Sequence, residues 1–377
     1  MASKPLLRIL AVLLGIVSAF MAACMAAGAL MGEDPRIIKA FAVPVGIGAV
    51  LLILAWISKI THRRISLPPR EGFLFVSLSW ACASALGALP FTLAGTMTYV
   101  DAFFETISGF TTTGASILSD IESLPRSLLL WRSTTHWLGG MGIVVLTVAI
   151  LPLLGVGGLG LMEAESPGPA VDKVTPRISS TAKILWLIYM SLTVLQIILL
   201  MAGGMDWFEA VTHSFGTMAT GGFSPKNLSV GHYRSVYIDV VITVFMLGAG
   251  LNFILYYKLM SGKALLAFRD TEARTYLGIF AAAALLVAWD LHRSGTYEGF
   301  GTALRYAGFQ ASSILTTTGF VTADFAQWPP LSQTVLFLLM FVGGCAGSTA
   351  GGIKVIRIVS LTKMALSEMK YLLNPRG

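Results

Sequence analysis

The chain has 377 residues, of which 55% are hydrophobic and 12% charged, about half the charge of an ordinary soluble domain, and its mean hydropathy is +0.77. These values exclude a soluble globular protein. The net charge of +7 does not call for a nucleic-acid partner, because the basic residues sit in short loops between apolar stretches, where membrane topology accounts for them.

A bilayer-crossing helix needs about 20 apolar residues. Eight segments meet that length: 8–31, 39–60, 73–94, 130–152, 183–203, 236–257, 273–291 and 331–360, the last interrupted by glycines. The first follows Lys4 and Arg8 and stays apolar from Leu10 to Met31, too long for the core of a signal peptide, so it reads as a retained span. Cys24, Cys82 and Cys345 all fall inside apolar stretches without paired spacing and read as small buried hydrophobes. Placing the N-terminus inside puts most Lys and Arg on the inner side, including Lys59, Arg63, Arg64, Lys173, Arg177, Lys258 and Lys263, as the positive-inside rule requires. Both ends of the chain are then expected to be cytoplasmic.

Three shorter apolar stretches, 100–112, 206–219 and 299–315, lie between spans on the outer side. They are too short to cross and too apolar for ordinary loops. Nearby acidic residues (Asp101, Glu105, Asp120, Glu122, Asp206, Glu209, Asp290, Glu298 and Asp324) read singly as solvated loop ends and together as a means of concentrating cations at an outer mouth.

Each short stretch runs into a Thr/Gly motif: Thr111-Thr112-Thr113-Gly114, Ala219-Thr220-Gly221-Gly222-Phe223 and Thr316-Thr317-Thr318-Gly319-Phe320. After the first two spans the chain therefore repeats as span, half-length helix, Thr/Gly motif, span. One such motif alone is an ordinary helix C-cap. Three on the same predicted side suggest half-helices that dip into the membrane and present backbone carbonyls, which can replace the hydration shell of a monovalent cation.

A second unusual segment, Gly343-Gly344-Cys345-Ala346-Gly347-Ser348-Thr349-Ala350-Gly351-Gly352, is too glycine-rich for a continuous helix. It reads as a broken helix lining a cavity, with Ser348 and Thr349 near a pore axis; close small-residue packing is the alternative. Lys354 reads as a snorkelling anchor at the inner interface or a positive group at the inner mouth. Arg132, His136 and Asn252 read as interhelical links. No nucleotide-binding fingerprint or metal cluster is apparent.

These residues resemble the Trk/Ktr/HKT potassium-transporter superfamily, most closely its TrkH type. The likeness is carried by Asp101-Ala-Phe-Phe-Glu105 through Ser108-Gly-Phe-Thr-Thr-Thr-Gly-Ala115, Trp137-Leu-Gly-Gly-Met-Gly-Ile143, Ile150-Leu-Pro-Leu-Leu-Gly-Val-Gly-Gly158, His213-Ser-Phe215 with Gly221-Gly-Phe-Ser224, Gly343 through Thr349, and Gly352-Ile-Lys-Val-Ile-Arg357. It extends over essentially the whole chain. The resemblance implies an all-α polytopic membrane protein in which two N-terminal helices precede M1-pore helix-M2 repeats of potassium-channel type. Three of the family's four repeats are present: residues 1–70 are the N-terminal pair, 71–180, 181–271 and 272–377 the repeats. Three filter segments do not close a four-sided pore, so the sequence is expected to be a piece of a longer chain.

The resemblance further implies potassium as substrate, bound by filter carbonyls at Thr112, Thr113, Gly114, Thr220, Gly221, Gly222, Thr317, Thr318 and Gly319, with glycine at the first filter position favouring potassium where serine goes with sodium. It implies a gating loop at Gly343, Gly344, Gly347, Ser348, Thr349, Gly351, Gly352 and Lys354, stiffened by Ala350 in place of a usual glycine. It also implies a homodimer in the inner membrane lipid bilayer, carrying cytoplasmic nucleotide-binding (TrkA-like) regulatory subunits. The expected function is potassium uptake; the alternative is a non-conducting scaffold or truncated assembly subunit. No enzymatic activity, resident cofactor or nucleic-acid partner is expected.

Overall fold

The computed structural model describes residues 3–58, 69–142 and 178–373. Its backbone is helical nearly throughout, and the described residues form no strand beyond a single bridge between Val342 and Ile353. They divide into two compact units, Met1–Ser229 and Val230–Gly377.

In the first unit, α1 (Ser3–Leu30) and α2 (Pro35–Ile57) form a hairpin. Asp34 caps α2 by accepting from the Arg36 amide at 2.8 Å, with Pro35 at the first helical position, where its missing N–H costs nothing. The two helices touch backbone to side chain, and a Cβ on Gly48 would collide with Ser18. The outer side of α2 leaves Val43, Val50, Leu54 and Trp56 exposed, which suits contact with lipid. Next come α3 (Pro69–Leu93), α4 (Tyr99–Phe110), α5 (Arg126–Gly140), α6 (Ile178–Ala202) and α7 (Trp207–Met218). The Glu33 carboxylate in the α1–α2 turn accepts from the Ser127 amide at 2.9 Å and from its hydroxyl, fixing the start of α5.

The second unit holds α8 (Val236–Ala249), α9 (Phe253–Met260), α10 (Ala264–Phe268), α11 (Thr271–Arg293), α12 (Phe300–Leu315), α13 (Pro330–Leu339) and α14 (Val355–Leu373). Its core, including Tyr276, Val287, Leu291, Leu315 and Leu336, lies between α11, α12 and α13.

The half-length stretches are helices α4, α7 and α12, within a residue or two of expectation. At 12 residues, α4 and α7 are about 18 Å long, too short for a bilayer core of about 30 Å. Thr98 and Asp206 cap them by accepting from the Asp101 and Glu209 amides. Asp206 is thus a structural cap. Asp290 likewise serves structure, accepting from the Ser332 amide and hydroxyl.

Among the described residues, five helical segments have the length and apolarity of a crossing: Leu6–Leu30, Pro35–Ile57, Gly72–Leu93, Thr181–Ala202 and Thr271–Arg293. The sequence-predicted span 236–257 is not one rod: α8 and α9 meet at 95°. Gly248, Gly250 and Asn252 cause this, because Asn252 starts α9 by accepting from the Ile254 amide at 2.9 Å. Asn252 is therefore an N-cap rather than an interhelical link. The span expected at 331–360 is α13, a non-helical stretch and α14, a glycine-broken helix as expected. The end of the fourth predicted span, the Ile150–Gly158 motif and the inner-loop residues Lys59, Arg63, Arg64, Lys173 and Arg177 lie outside the described residues. Cys24 and Cys345 are buried and Cys82 is half-buried; all three are free thiols.

Candidate functional site

Each half-helix ends in the same way. The amides of Thr112 and Thr113 bond back to the carbonyls of Gly109 and Ser108; those of Thr220 and Gly221 to Thr217 and Gly216; those of Thr317 and Thr318 to Ile314 and Ser313, all at 2.8–3.0 Å. This is a Schellman closure, whose left-handed residue is usually glycine. Here it is threonine every time: φ is 52° at Thr112, 51° at Thr220 and 56° at Thr317. A β-branched residue in that region is an outlier costing about 1–3 kcal/mol. The glycine two residues later is also left-handed, with φ of 75° at Gly114, 81° at Gly222 and 85° at Gly319, while the residue between has ordinary backbone. The helix-cap reading of the motifs is thus correct for the hydrogen bonds, but the expensive residue sits where glycine would be cheapest.

Within the first unit two of these segments are in contact: a Cβ on Gly114 would collide with the Gly221 carbonyl oxygen. Around them α5 is wedged tightly, since a Cβ on Gly139 would run into the Phe110 carbonyl and one on Gly140 would stand 2.5 Å from Ala219 Cα.

The segments leaving the Thr/Gly motifs are held by polar side chains from the half-helices, at the position seven residues before each left-handed threonine. Glu105 accepts from the Ser116 hydroxyl at 2.9 Å and the Ile117 amide at 3.2 Å. His213 Nε2 meets the Ser224 hydroxyl at 3.1 Å. Gln310 donates to the Ala323 carbonyl at 3.0 Å. All three are buried, so Glu105 is no solvated loop end. It pairs at 2.6 Å with buried Arg132, which also donates to the Ser224 carbonyl at 3.1 Å and lies 3.5 Å from the centre of the Phe223 ring. His136, one turn along α5, stacks on the same ring and accepts from the Phe223 amide. The reading of Arg132 and His136 as helix-linking groups is correct. The pairing of Arg132 with Glu105 was available from the rule that charge within a span needs a partner.

In the second unit the glycine-rich stretch forms a loop between α13 and α14. Its neck is closed by Gly343 N–H to the Ile353 carbonyl at 2.9 Å and Val355 N–H to the Gly344 carbonyl at 3.2 Å. A Cβ on Gly343 would strike the Gly351 carbonyl, and Gly347 and Gly352 have left-handed backbone, so glycine is required at these three places. The loop docks on the broken end of α8 and start of α9: the amides of Cys345 and Thr349 bond to the carbonyls of Gly250 and Ala249, and Phe253 N–H to the Gly347 carbonyl. It also touches the third Thr/Gly segment, because Gly351 N–H donates to Thr317 Oγ1 at 2.7 Å. Ser348 bonds to the Cys345 carbonyl and Thr349 to that of Ala249.

Lys354 does not snorkel. It is buried, and its ammonium donates to the Ala350 carbonyl inside the loop. Glu272, which sequence reasoning missed, accepts from the Ala346 amide at 2.8 Å and the Ile356 amide at 3.0 Å, fastening both sides of the loop to α11.

Helices of crossing length, half-length helices ending in Thr/Gly turns and an unwound break describe a polytopic helical membrane protein. A family model described as TrkH, cation transport protein, matches residues 35–288 and 297–376. The chain is 43% identical over 350 residues to the Trk system potassium uptake protein TrkH of Salmonella typhimurium, covering 92% of this chain and 71% of that protein. It is 41% identical over 381 residues to TrkH of Halomonas elongata, covering 100% of this chain and 78% of the relative. The crystal structure of the potassium transporter TrkH from Vibrio parahaemolyticus superimposes with a TM-score of 0.84 at 38% identity, covering 100% of this chain and 78% of that one. The chain belongs to the TrkH family.

Proposed function

We propose that the chain is the membrane subunit of a Trk-type system and conducts potassium into the cell through a filter built from Thr112–Gly114, Thr220–Gly222 and Thr317–Gly319, with the 343–354 loop as its gate. The observation that carries this reading is the left-handed threonine repeated at Thr112, Thr220 and Thr317, each with a left-handed glycine two residues on. Strain repeated at three equivalent places has to be repaid in function. Alternating left-handed and ordinary residues turns successive peptide planes the same way, and the leading amides are already committed to the half-helix. Carbonyl oxygens are then the polar groups left to face an ion, and dehydrated potassium is the ion such a row accommodates. The half-helix C-terminus adds negative dipole character behind them.

The bond from Gly351 to Thr317 supports the gate, because a loop tied to a filter residue can block or release the path beneath it. Membrane potential supplies about 2.3 kcal/mol per charge per 100 mV, so uptake needs no chemical step and no enzymatic residue. The family names favour an inner-membrane assembly, and we extend this to a homodimer with nucleotide-binding cytoplasmic subunits, both ends of this chain being cytoplasmic and the three repeats bounded at 71–180, 181–271 and 272–377.

Rubidium uptake by the natural gene product in liposomes tests the reading. Gly114→Val and Gly319→Val abolish uptake or its preference over sodium; unchanged flux and preference in folded protein removes the filter assignment. Wild-type protein that passes no rubidium under any nucleotide or partner condition is a scaffold instead.

A further inference from the structure

We propose that the buried Arg132–Glu105 pair is the positioning device that fixes the first filter segment relative to the second, so that the choice of potassium over sodium depends on it. The inference rests on the filter reading above. Four pieces of chain converge on these two side chains. Glu105 comes from half-helix α4 and grips Ser116 and Ile117, which leave the first filter. Arg132 comes from α5, pairs with Glu105 at 2.6 Å, and reaches the Ser224 carbonyl and Phe223 ring, which leave the second filter. The two filters so joined are those in contact at Gly114 and Gly221.

Stability alone does not account for the pair. Replacing a buried ion pair by apolar residues is often neutral or stabilising, so its presence points to geometry rather than energy. The same fold supplies the comparison. The equivalent positions carry His213 and Gln310, and these side chains also hold the outgoing chain of the other two segments. Glu105 alone among the three is a carboxylate. What the charge adds is Arg132, and what Arg132 adds is a rigid planar group that makes three contacts at once: one N–H to Glu105, another to Ser224, and its face to Phe223. A lysine has one point charge and cannot span all three. Because a carbonyl filter separates ions by the number and spacing of its oxygens, a link between two filter segments acts on selectivity.

The test compares rubidium and sodium permeation through the natural gene product in liposomes, with thermal melting in detergent recorded for each variant. Arg132→Lys raises sodium permeation relative to rubidium by about tenfold, the effect of losing one charge-assisted hydrogen bond, while melting stays close to wild type. Glu105→Gln combined with Arg132→Met places the third repeat's glutamine in the first, keeps the fold and loses the same selectivity. Phe223→Leu leaves the ion pair satisfied and removes only the ring beneath the guanidinium, so it carries the test should the other two fail to insert. Wild-type selectivity in the folded variants overturns the proposal. Gly319→Ser, at a position where a Cβ meets nothing within 4 Å, is run alongside: if it shifts selectivity and the Arg132 variants do not, the filter reading stands and the positioning role falls. If it shifts nothing, the filter reading falls and takes the positioning role with it.

Discussion

The first and third Thr/Gly segments are built almost atom for atom alike, and the second is not. In the first and third, a threonine hydroxyl at the helix end bonds four residues back and also meets the hydroxyl two residues on at 2.7 Å (Thr111 with Thr113, Thr316 with Thr318). A serine four residues before the left-handed threonine donates at 2.6 Å to the chain beyond the glycine, Ser108 to Ala115 and Ser313 to Phe320. The second segment has Ala219 and Gly216 at these places and lacks both arrangements, yet Thr220 and Gly222 take the same backbone as their counterparts. Its support comes instead from α5, through His136 stacked on Phe223 and pressed against Gly221. The invariant quantity is the backbone; each segment enforces it with its own set of side chains. That ordering is what a carbonyl-based function requires.

The largest expected effect sharpens the comparison between equivalent glycines. A Cβ at Gly114 collides with the Gly221 carbonyl, whereas one at Gly319 meets nothing within 4 Å. Gly114→Ala should therefore eliminate rubidium uptake, while Gly319→Ala bears only the left-handed backbone cost, about 1–2 kcal/mol, and retains measurable uptake. Equal losses would show that local space around Gly114 is not what limits uptake. Next is Glu272→Ala, which strips the loop amide of Ala346 and the α14 amide of Ile356 of their acceptor at about 1–3 kcal/mol each. It should lower the melting temperature and make the 340–354 stretch the first site of proteolysis; an unchanged cleavage pattern would mean the loop is held by its other bonds.

Smaller again, Ser108→Ala and Ser313→Ala should each cost about 1 kcal/mol, seen as matching small shifts in melting temperature. A marked inequality would break the equivalence of the first and third segments. The smallest effect belongs to Lys226→Ala. Its pair with Glu209 at 2.9 Å is partly exposed and contributes about 0–1 kcal/mol, so melting and uptake should stay near wild type.

Much of this was legible in the sequence because a membrane chain writes its helices as apolar length. The half-helices and three Thr/Gly segments stood out by being too short and too often repeated. What was hidden follows from reading residues one at a time. The bend at Gly250 was lost because Gly248 and Asn252 are tolerated inside a span, and the N-cap role of Asn252 shows only once the chain turns. Glu105 looked like one acidic loop residue among several, and Lys354 like an interface anchor; each is buried because its partners come from distant parts of the chain or from an unwound loop. The strain at Thr112, Thr220 and Thr317 left no mark in composition, since Thr-Thr-Gly is equally compatible with an ordinary cap.

The central claim is that these three strained segments bind the permeating ion through their carbonyls. Anomalous diffraction from crystals of the natural gene product soaked in rubidium tests it most directly. The account predicts rubidium peaks about 3 Å from backbone oxygens of Thr112–Gly114, Thr220–Gly222 and Thr317–Gly319, within reach of a carbonyl row that replaces water. Rubidium bound elsewhere, with these segments clear of it, would contradict the account.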